Sequence, residues 1–241
     1  RADVSASTKR VFRVKIMLWA LAGIVALTVI AAGGLWLAVA HNGPAVLTAI
    51  DRLAGGSAGA HLKARVAFGE EPGQELFVWG PTQDRETGAR QRPVLVFVHG
   101  GSWRSGAPKD YGFIGRAFVA KGFVVVLAGY RLGNDGVYPA MLEDCAKAIA
   151  WTKQEIADYG GNPDQITLVG HSAGAYNIVQ VALEEKWLAQ EGLSSSILTA
   201  VVGLSGPYDF YPFTRDSTRT AFGAAANPDQ TQPVNHARSD A

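Results

Sequence analysis

Cysteine is almost absent. Cys145 stands alone among 241 residues, so the chain cannot close a disulfide on itself even in an oxidising compartment. Its position, on the apolar side of a predicted helix, makes it a core residue. The His/Cys spacing of a metal site and the glycine pattern of a phosphate-binding loop are both missing, and no metal or cofactor is expected. Charge is scarce as well. Charged residues are 18% of the chain and cancel to a formal net charge of +1, which leaves no electrostatic argument for a nucleic-acid partner. The one basic cluster is local: Arg1, Lys9, Arg10, Arg13 and Lys15 against Asp3 give the first fifteen residues +4 and leave −3 for the remainder.

Hydrophobic residues, 48% of the chain, and 28 glycines supply what charge does not. Ile16 to Ala40 runs for 25 residues without a charge. At about 1.5 Å per residue a helix of that length exceeds the roughly 30 Å thickness of a bilayer's hydrocarbon. The run predicts a transmembrane helix or signal anchor. Basic residues ahead of a first span stay in the cytoplasm, which sends everything after residue 40 across the membrane, into the periplasm if the cell is bacterial. Ala38-Val39-Ala40 has the small-x-small form of a cleavage site, so a cleaved signal peptide is the alternative. Both export the rest of the chain; the run is longer than a signal core of about 7–15 residues, which favours the anchor. The expected organisation is a basic cytoplasmic stretch over 1–15, the span over 16–40, a juxtamembrane linker over 41–61 with a small amphipathic turn around Val46 to Leu53, and one domain over 62–241.

From Leu62 the texture changes. Ala64 to Phe68 and Glu75 to Trp79 alternate in polarity around Gly69-Glu-Glu-Pro-Gly73, a hairpin of two edge strands. Val94 to Val98 and Phe123 to Leu127 are continuous apolar runs, strands buried on both faces. Helices fit Asp110 to Lys121, closed by Gly122, and Pro139 to about Tyr159, with Leu142, Cys145, Ile149 and Ile156 facing inward. A strand over Ile166 to Val169, a helix from Ala175 to about Gln190 and a strand over Leu198 to Leu204 complete an α/β alternation. That pattern predicts a mainly parallel sheet covered on both sides, with reactive loops beyond the carboxyl ends of its strands.

The chain is organised around Ile166-Thr-Leu-Val-Gly-His-Ser-Ala-Gly-Ala175. A strand that runs into Gly-x-Ser-x-Gly and then a helix is the layout of a nucleophile elbow, and Ser172 is the candidate nucleophile. At Gly170 and Gly174 the strand and helix pass so close that a side chain would collide. A second match, Gly55-Gly56-Ser57-Ala58-Gly59, serves as a control: Asp51 to Ala54 before it is no strand, and its composition is that of a linker, so Ser57 is set aside. Acyl transfer also needs donors for the developing oxyanion. The amides of Gly100, Gly101 and Ala173 fill that role, the first two after a neighbouring strand and the third at the start of the helix behind Ser172.

Five landmarks in order, His99-Gly-Gly-Ser-Trp103, Gly129-Tyr-Arg-Leu132, Gly160-Gly-Asn-Pro-Asp164, Gly170-His-Ser-Ala-Gly174 and Leu204-Ser-Gly-Pro-Tyr-Asp209, resemble the α/β-hydrolase esterases. The nearest groups are the feruloyl-esterase-like carboxylesterases, the isoprenylcysteine methylesterases and the arylformamidases. The resemblance covers about residues 62 to 236 and implies a cofactor-free carboxylic-ester hydrolase with a serine triad and a small-molecule ester substrate. It also implies a triad in the order Ser, Asp, His, with the acid and the histidine after strands that follow the Leu204 region. No buried β run follows Leu204, so those two groups are expected beyond Ala241, with this chain weak or inactive by itself. The other candidates have plainer readings. His236 lies in a segment that precedes the expected strands, His171 adjoins Ser172 and points elsewhere, and His99 braces the oxyanion loop. Asp209 belongs to a structural turn. Glu143 and Asp144 begin an exposed helix turn, while Trp103 and Tyr111 either line an acyl pocket or pack. Two rivals remain: a tethered, non-catalytic domain on the hydrolase frame, and an amide or formamide hydrolase on the same machinery.

Overall fold

The computed structural model describes residues 2–56, 59–82 and 91–237; Ser57 lies outside them. Contacts divide the chain into two compact units, residues 1–46 and 47–241. In the first, helix α1 (Ala2–Leu53) is interrupted at Asn42, whose φ of −153° is not helical. The Asn42 Oδ1 accepts from the Ala45 amide at 3.1 Å, and Pro44 sits in the turn that follows. Asn42 is therefore an N-cap, and a new helical segment starts there. Met17–Leu53 is long and apolar enough to cross a membrane, its most apolar 18-residue window having a mean hydropathy of 2.2.

The second unit is built on one six-stranded sheet: β1 (Ala60–Ala67), β2 (Glu75–Pro81), β3 (Arg92–Val98), β4 (Val124–Ala128), β5 (Gly161–His171) and β6 (Leu198–Leu204), in the order β1-β2-β4-β3-β5-β6. β1, β2 and β4 pair antiparallel in succession, and β4, β3, β5 and β6 are parallel. β2 is thus an interior strand, not the edge expected of it; Leu76 to Trp79 are buried, so its apolar run outweighs the alternation. Successive side chains of each strand serve opposite faces. Leu76, Val78, Val94, Val96, Val124 and Val126 meet α3 (Ala140–Glu155) and α4 (Ala173–Leu183) on one side. Phe77, Trp79, Leu95, Phe97, Val125 and Leu127 meet the α2 region (Gly112–Val119) on the other. From β3 the chain first adds β4 on one flank and later β5 on the opposite flank, so β3 and β5 part at a switch point, where ligands of such sheets bind.

The remainder of α1 belongs to this unit. Thr48 is buried, its hydroxyl donating to the Asp110 carbonyl at 2.6 Å and accepting from the Phe113 amide at 3.3 Å. Asp51 pairs with Arg116, whose guanidinium lies over the Trp79 ring at 5.3 Å. Within the stretch read as a juxtamembrane linker, the expected amphipathic turn is a helical segment docked on this unit through Thr48 and Asp51.

A second departure concerns Asp144. Instead of being exposed on a helix end, it is wholly buried and accepts from the Gln74 amide (2.7 Å), the Arg131 backbone amide (2.8 Å) and the Arg131 guanidinium (2.8 Å). The Asp144 hydrogen bonds raise the Arg131 pKa. This ties the Gly129-Tyr-Arg-Leu132 loop after β4 to α3 and to the turn before β2. Removing one partner of a buried pair strands the other. Asp144→Ala is expected to cost roughly 3 kcal/mol or more, read as a lower urea midpoint in detergent, and Asp144→Asn should lose less because it keeps part of the hydrogen bonding.

Candidate active site

Three loops leave the sheet at one level. Val98 pairs with Gly170, and Gly170 with Gly203, so β3, β5 and β6 end side by side. Each following loop holds a serine at positive φ: Ser102 at 54°, Ser172 at 53° and Ser205 at 55°. A residue with a Cβ in that region costs about 1–3 kcal/mol and persists only where its surroundings over-determine it. Around Ser172 they do. Its amide donates to the Leu204 carbonyl at 2.8 Å, and its carbonyl accepts from Tyr176 at 3.1 Å as α4 begins. A Cβ on Gly170 would lie 2.5 Å from the Gly174 carbonyl oxygen, and one on Gly174 would lie 2.2 Å from that of Val98. Only glycines let α4 start so close to β3 and β5.

The oxyanion-loop glycines divide their work. A Cβ on Gly100 would meet the Ser172 Cβ at 3.0 Å and the His171 carbonyl oxygen at 2.8 Å, so Gly100 is in contact with the elbow. Gly101, at φ 123°, is the pivot of a tight turn whose carbonyl accepts from the Arg104 and Ser105 amides. Neither glycine lines the open cleft; Ser102 and Trp103 do, together with Ser172 and Ala173.

His99 sits in this corner as a brace. It is buried, stacked on Tyr130 (ring centroids 4.7 Å) and Tyr111 (5.9 Å), with its Nδ1 2.8 Å from the Gly100 carbonyl oxygen. A carbonyl only accepts, so Nδ1 carries the proton, and burial lowers the pKa to keep the ring neutral. The Tyr130 hydroxyl donates to the His99 carbonyl at 3.0 Å.

Trp103 both lines the cleft and packs. Its indole N–H donates to the buried Asn177 Oδ1 of α4 at 3.0 Å, and its ring meets Tyr176 and Phe222 edge-on. That hydrogen bond fastens the oxyanion loop to the helix behind Ser172. Tyr111 packs instead against Phe97 and His99, outside the cleft lining.

The cleft has a volume of about 520 Å³, and Phe210, Tyr211, Arg215 and Thr218 form much of its far side. This side comes from a part of the chain without a strand signal. It contains a short helix over Asp216–Phe222, which the sequence pattern does not predict. Phe222 is buried against Trp103 and Tyr176, and this packing holds the segment. Asp209 is exposed and outside the lining, and the Tyr208 ring covers Gly203 and Gly206, as expected of a structural turn. His236 is elsewhere, 2.9 Å from the Gln230 carbonyl oxygen and 3.7 Å from Glu184. His171 is exposed and does not line the cleft. No group of three His, Cys, Asp or Glu side chains among the described residues could hold a metal ion. Cys145 is buried, which raises its thiol pKa.

Comparison with known proteins places this geometry. The chain is 36% identical over 149 residues to a probable isoprenylcysteine alpha-carbonyl methylesterase of Oryza sativa subsp. japonica, covering 60% of this chain and 34% of that protein. It is 37% identical over 127 residues to esterase LipQ of Mycobacterium tuberculosis, 52% of this chain and 30% of the relative. It thus spans about a third of the length of these curated relatives. Among solved structures, an inhibited esterase B from Lactobacillus rhamnosis superposes with a TM-score of 0.63 at 20% identity, over 83% of this chain and 70% of that one. A butyrate-bound esterase from Thermogutta terrifontis gives 0.58 at 22% identity, over 76% and 68%. These likenesses fix the α/β-hydrolase fold. The sequence profile of the BD-FAE family matches residues 83–237, more than half of the chain, and the protein belongs to that family.

Proposed function

We propose that the protein is a serine carboxylic-ester hydrolase that works through an acyl-enzyme on Ser172, held at a membrane by its N-terminal helix. The observation that carries the reading is Ser172 itself. It is a non-glycine residue at φ 53°, ψ −118°, set between β5 and α4 and facing a cleft. Strain of this kind is kept where exposing a side chain is worth its cost.

In the proposed reaction the Ser172 Oγ attacks the ester carbonyl carbon while a base takes the hydroxyl proton. The carbonyl oxygen becomes an oxyanion beside the Ala173 amide, at the positive end of α4, and the amides of the Gly100-Gly101 turn. The tetrahedral adduct collapses by breaking the bond to the alcohol, which leaves with the proton. Water then attacks the acyl-enzyme and releases the acid. Among the described residues no histidine or carboxylate lines the cleft, and the reading takes the base and the acid that orients it from outside them.

The relatives named as esterases and methylesterases support the ester class. A second reading is a tethered hydrolase-like domain that binds without turning over. The two differ in one experiment. With that base and acid present, a fluorophosphonate probe is expected to form an adduct on Ser172, found by peptide mass spectrometry, and Ser172→Ala should remove it and lower ester turnover by at least about 10⁴-fold. No adduct and no turnover leave the binding domain standing.

Gly174→Ala tests the elbow by another route. Its Cβ would overlap the Val98 and His99 carbonyl oxygens at 2.2 and 2.4 Å. α4 must then withdraw, and stability should fall by roughly 3 kcal/mol along with probe labelling, while substitution at the open Gly192 should do neither to that degree.

For the membrane, the basic N-terminus is proposed to stay in the cytoplasm with the hydrolase domain exported. A membrane-impermeant maleimide added to intact cells should label Ser196→Cys and spare Ser7→Cys; the reverse pattern overturns the topology.

A further inference from the structure

We infer that the Ser172 cleft takes esters that also carry a carboxylate, and that Arg215 receives it; the inference rests on the hydrolase reading and narrows its substrate class. The cleft lining is polar and one-signed. Ser102, Ser205, Thr214, Ser217 and Thr218 contribute hydroxyls, and among the described residues no acid lines it and Arg215 is its only charged residue. Guanidinium is cationic at every pH the protein meets and offers a planar fork of donors that matches a carboxylate.

The neighbouring arginines show why Arg215 differs. Arg219 donates to the Thr214 carbonyl at 2.7 Å and the Phe213 carbonyl at 3.4 Å, and it pairs with Asp216. Arg104 donates to the Thr220 hydroxyl at 3.3 Å. Both are spent on holding this wall. The Arg215 guanidinium has neither an ion pair nor a hydrogen bond among the described residues, although its backbone is fixed: its carbonyl accepts from the Arg219 amide at 2.9 Å and from the Thr218 hydroxyl at 2.9 Å. A cation positioned by its backbone and unengaged at its head is placed for a ligand. A carboxylate on the substrate completes it, and the same charge leaves unchanged with its half of the cleaved ester, so the chemistry at Ser172 is not altered.

Two substrate series test this on the intact protein. The first sets monomethyl esters of dicarboxylic acids, from succinate to suberate, against methyl esters of the matching monoacids. The second sets O-acetyl hydroxycarboxylates against the corresponding alkyl acetates, so that the anion on either side of the ester is covered. In at least one series the anionic ester should be favoured about tenfold or more in kcat/KM at low salt. That preference should shrink in about 0.5 M salt, collapse in Arg215→Gln and partly return in Arg215→Lys. An absent preference, or one that survives Arg215→Gln, overturns the inference.

If no ester is turned over and the probe does not label Ser172, the hydrolase reading has failed and the anion site is judged by binding alone. Calorimetric titration with glutarate and adipate should then show binding to the wild type that Arg215→Gln weakens about tenfold. Equal binding to both, or none, means that Arg215 is an ordinary solvated side chain.

Discussion

Backbone touches backbone where β5 becomes α4, and the rest of the site follows from that contact. Because Gly170 and Gly174 carry no Cβ, α4 starts against the carbonyls that end β3. Ser172 is thereby forced into a left-handed conformation at the rim of the sheet. The parallel register from Val98 through Gly170 to Gly203 then brings the loops after β3 and β6 to the same rim. No side chain has to reach far. The cleft is a consequence of where strands stop.

What keeps these loops in place is a set of buried polar contacts. Trp103 bonds to Asn177, Tyr130 to the His99 carbonyl, and Asp144 to Arg131 and Gln74. They join separate elements, Trp103 to Asn177 and Gln74 to Asp144 across seventy or more positions, and a buried polar group left unmatched costs more than the bond contributes. The arrangement therefore penalises alternatives: a loop that shifts by a residue abandons a donor or an acceptor in the core. His99 shows the logic at a titratable site, since burial lowers its pKa while the Gly100 carbonyl fixes which nitrogen donates.

Much of this was legible in the residues. The strand-turn-helix around Ser172, the glycines after β3, the buried runs of β3 and β4 and the inward face of α3 all rest on local pattern, which composition and period reveal. Asp144 was not legible, because its burial depends on Gln74, seventy positions earlier, and an acid in a first helical turn has an ordinary solvent-exposed explanation. β2 was misplaced as an edge because alternation describes one strand's faces and not its neighbours. The helix over Asp216–Phe222 escaped because seven residues hold too few turns for a period, and only Thr218, Ala221 and Phe222 of it are buried. The far wall of the cleft, including Arg215, is set by the fold and has no signature in the local sequence.

The two walls of the cleft are made of different material. Trp103 is continuous with the aromatic core through Tyr176 and Phe222, whereas Tyr211, Pro212, Thr214 and Arg215 are all exposed. A substitution at Trp103 is felt in the aromatic core, while one at these four exposed positions changes little beyond the cleft. Selection for a new substrate would therefore find its variation on one side only. Relatives of this protein would be expected to share the tryptophan wall and to differ along the segment from 211 to 215.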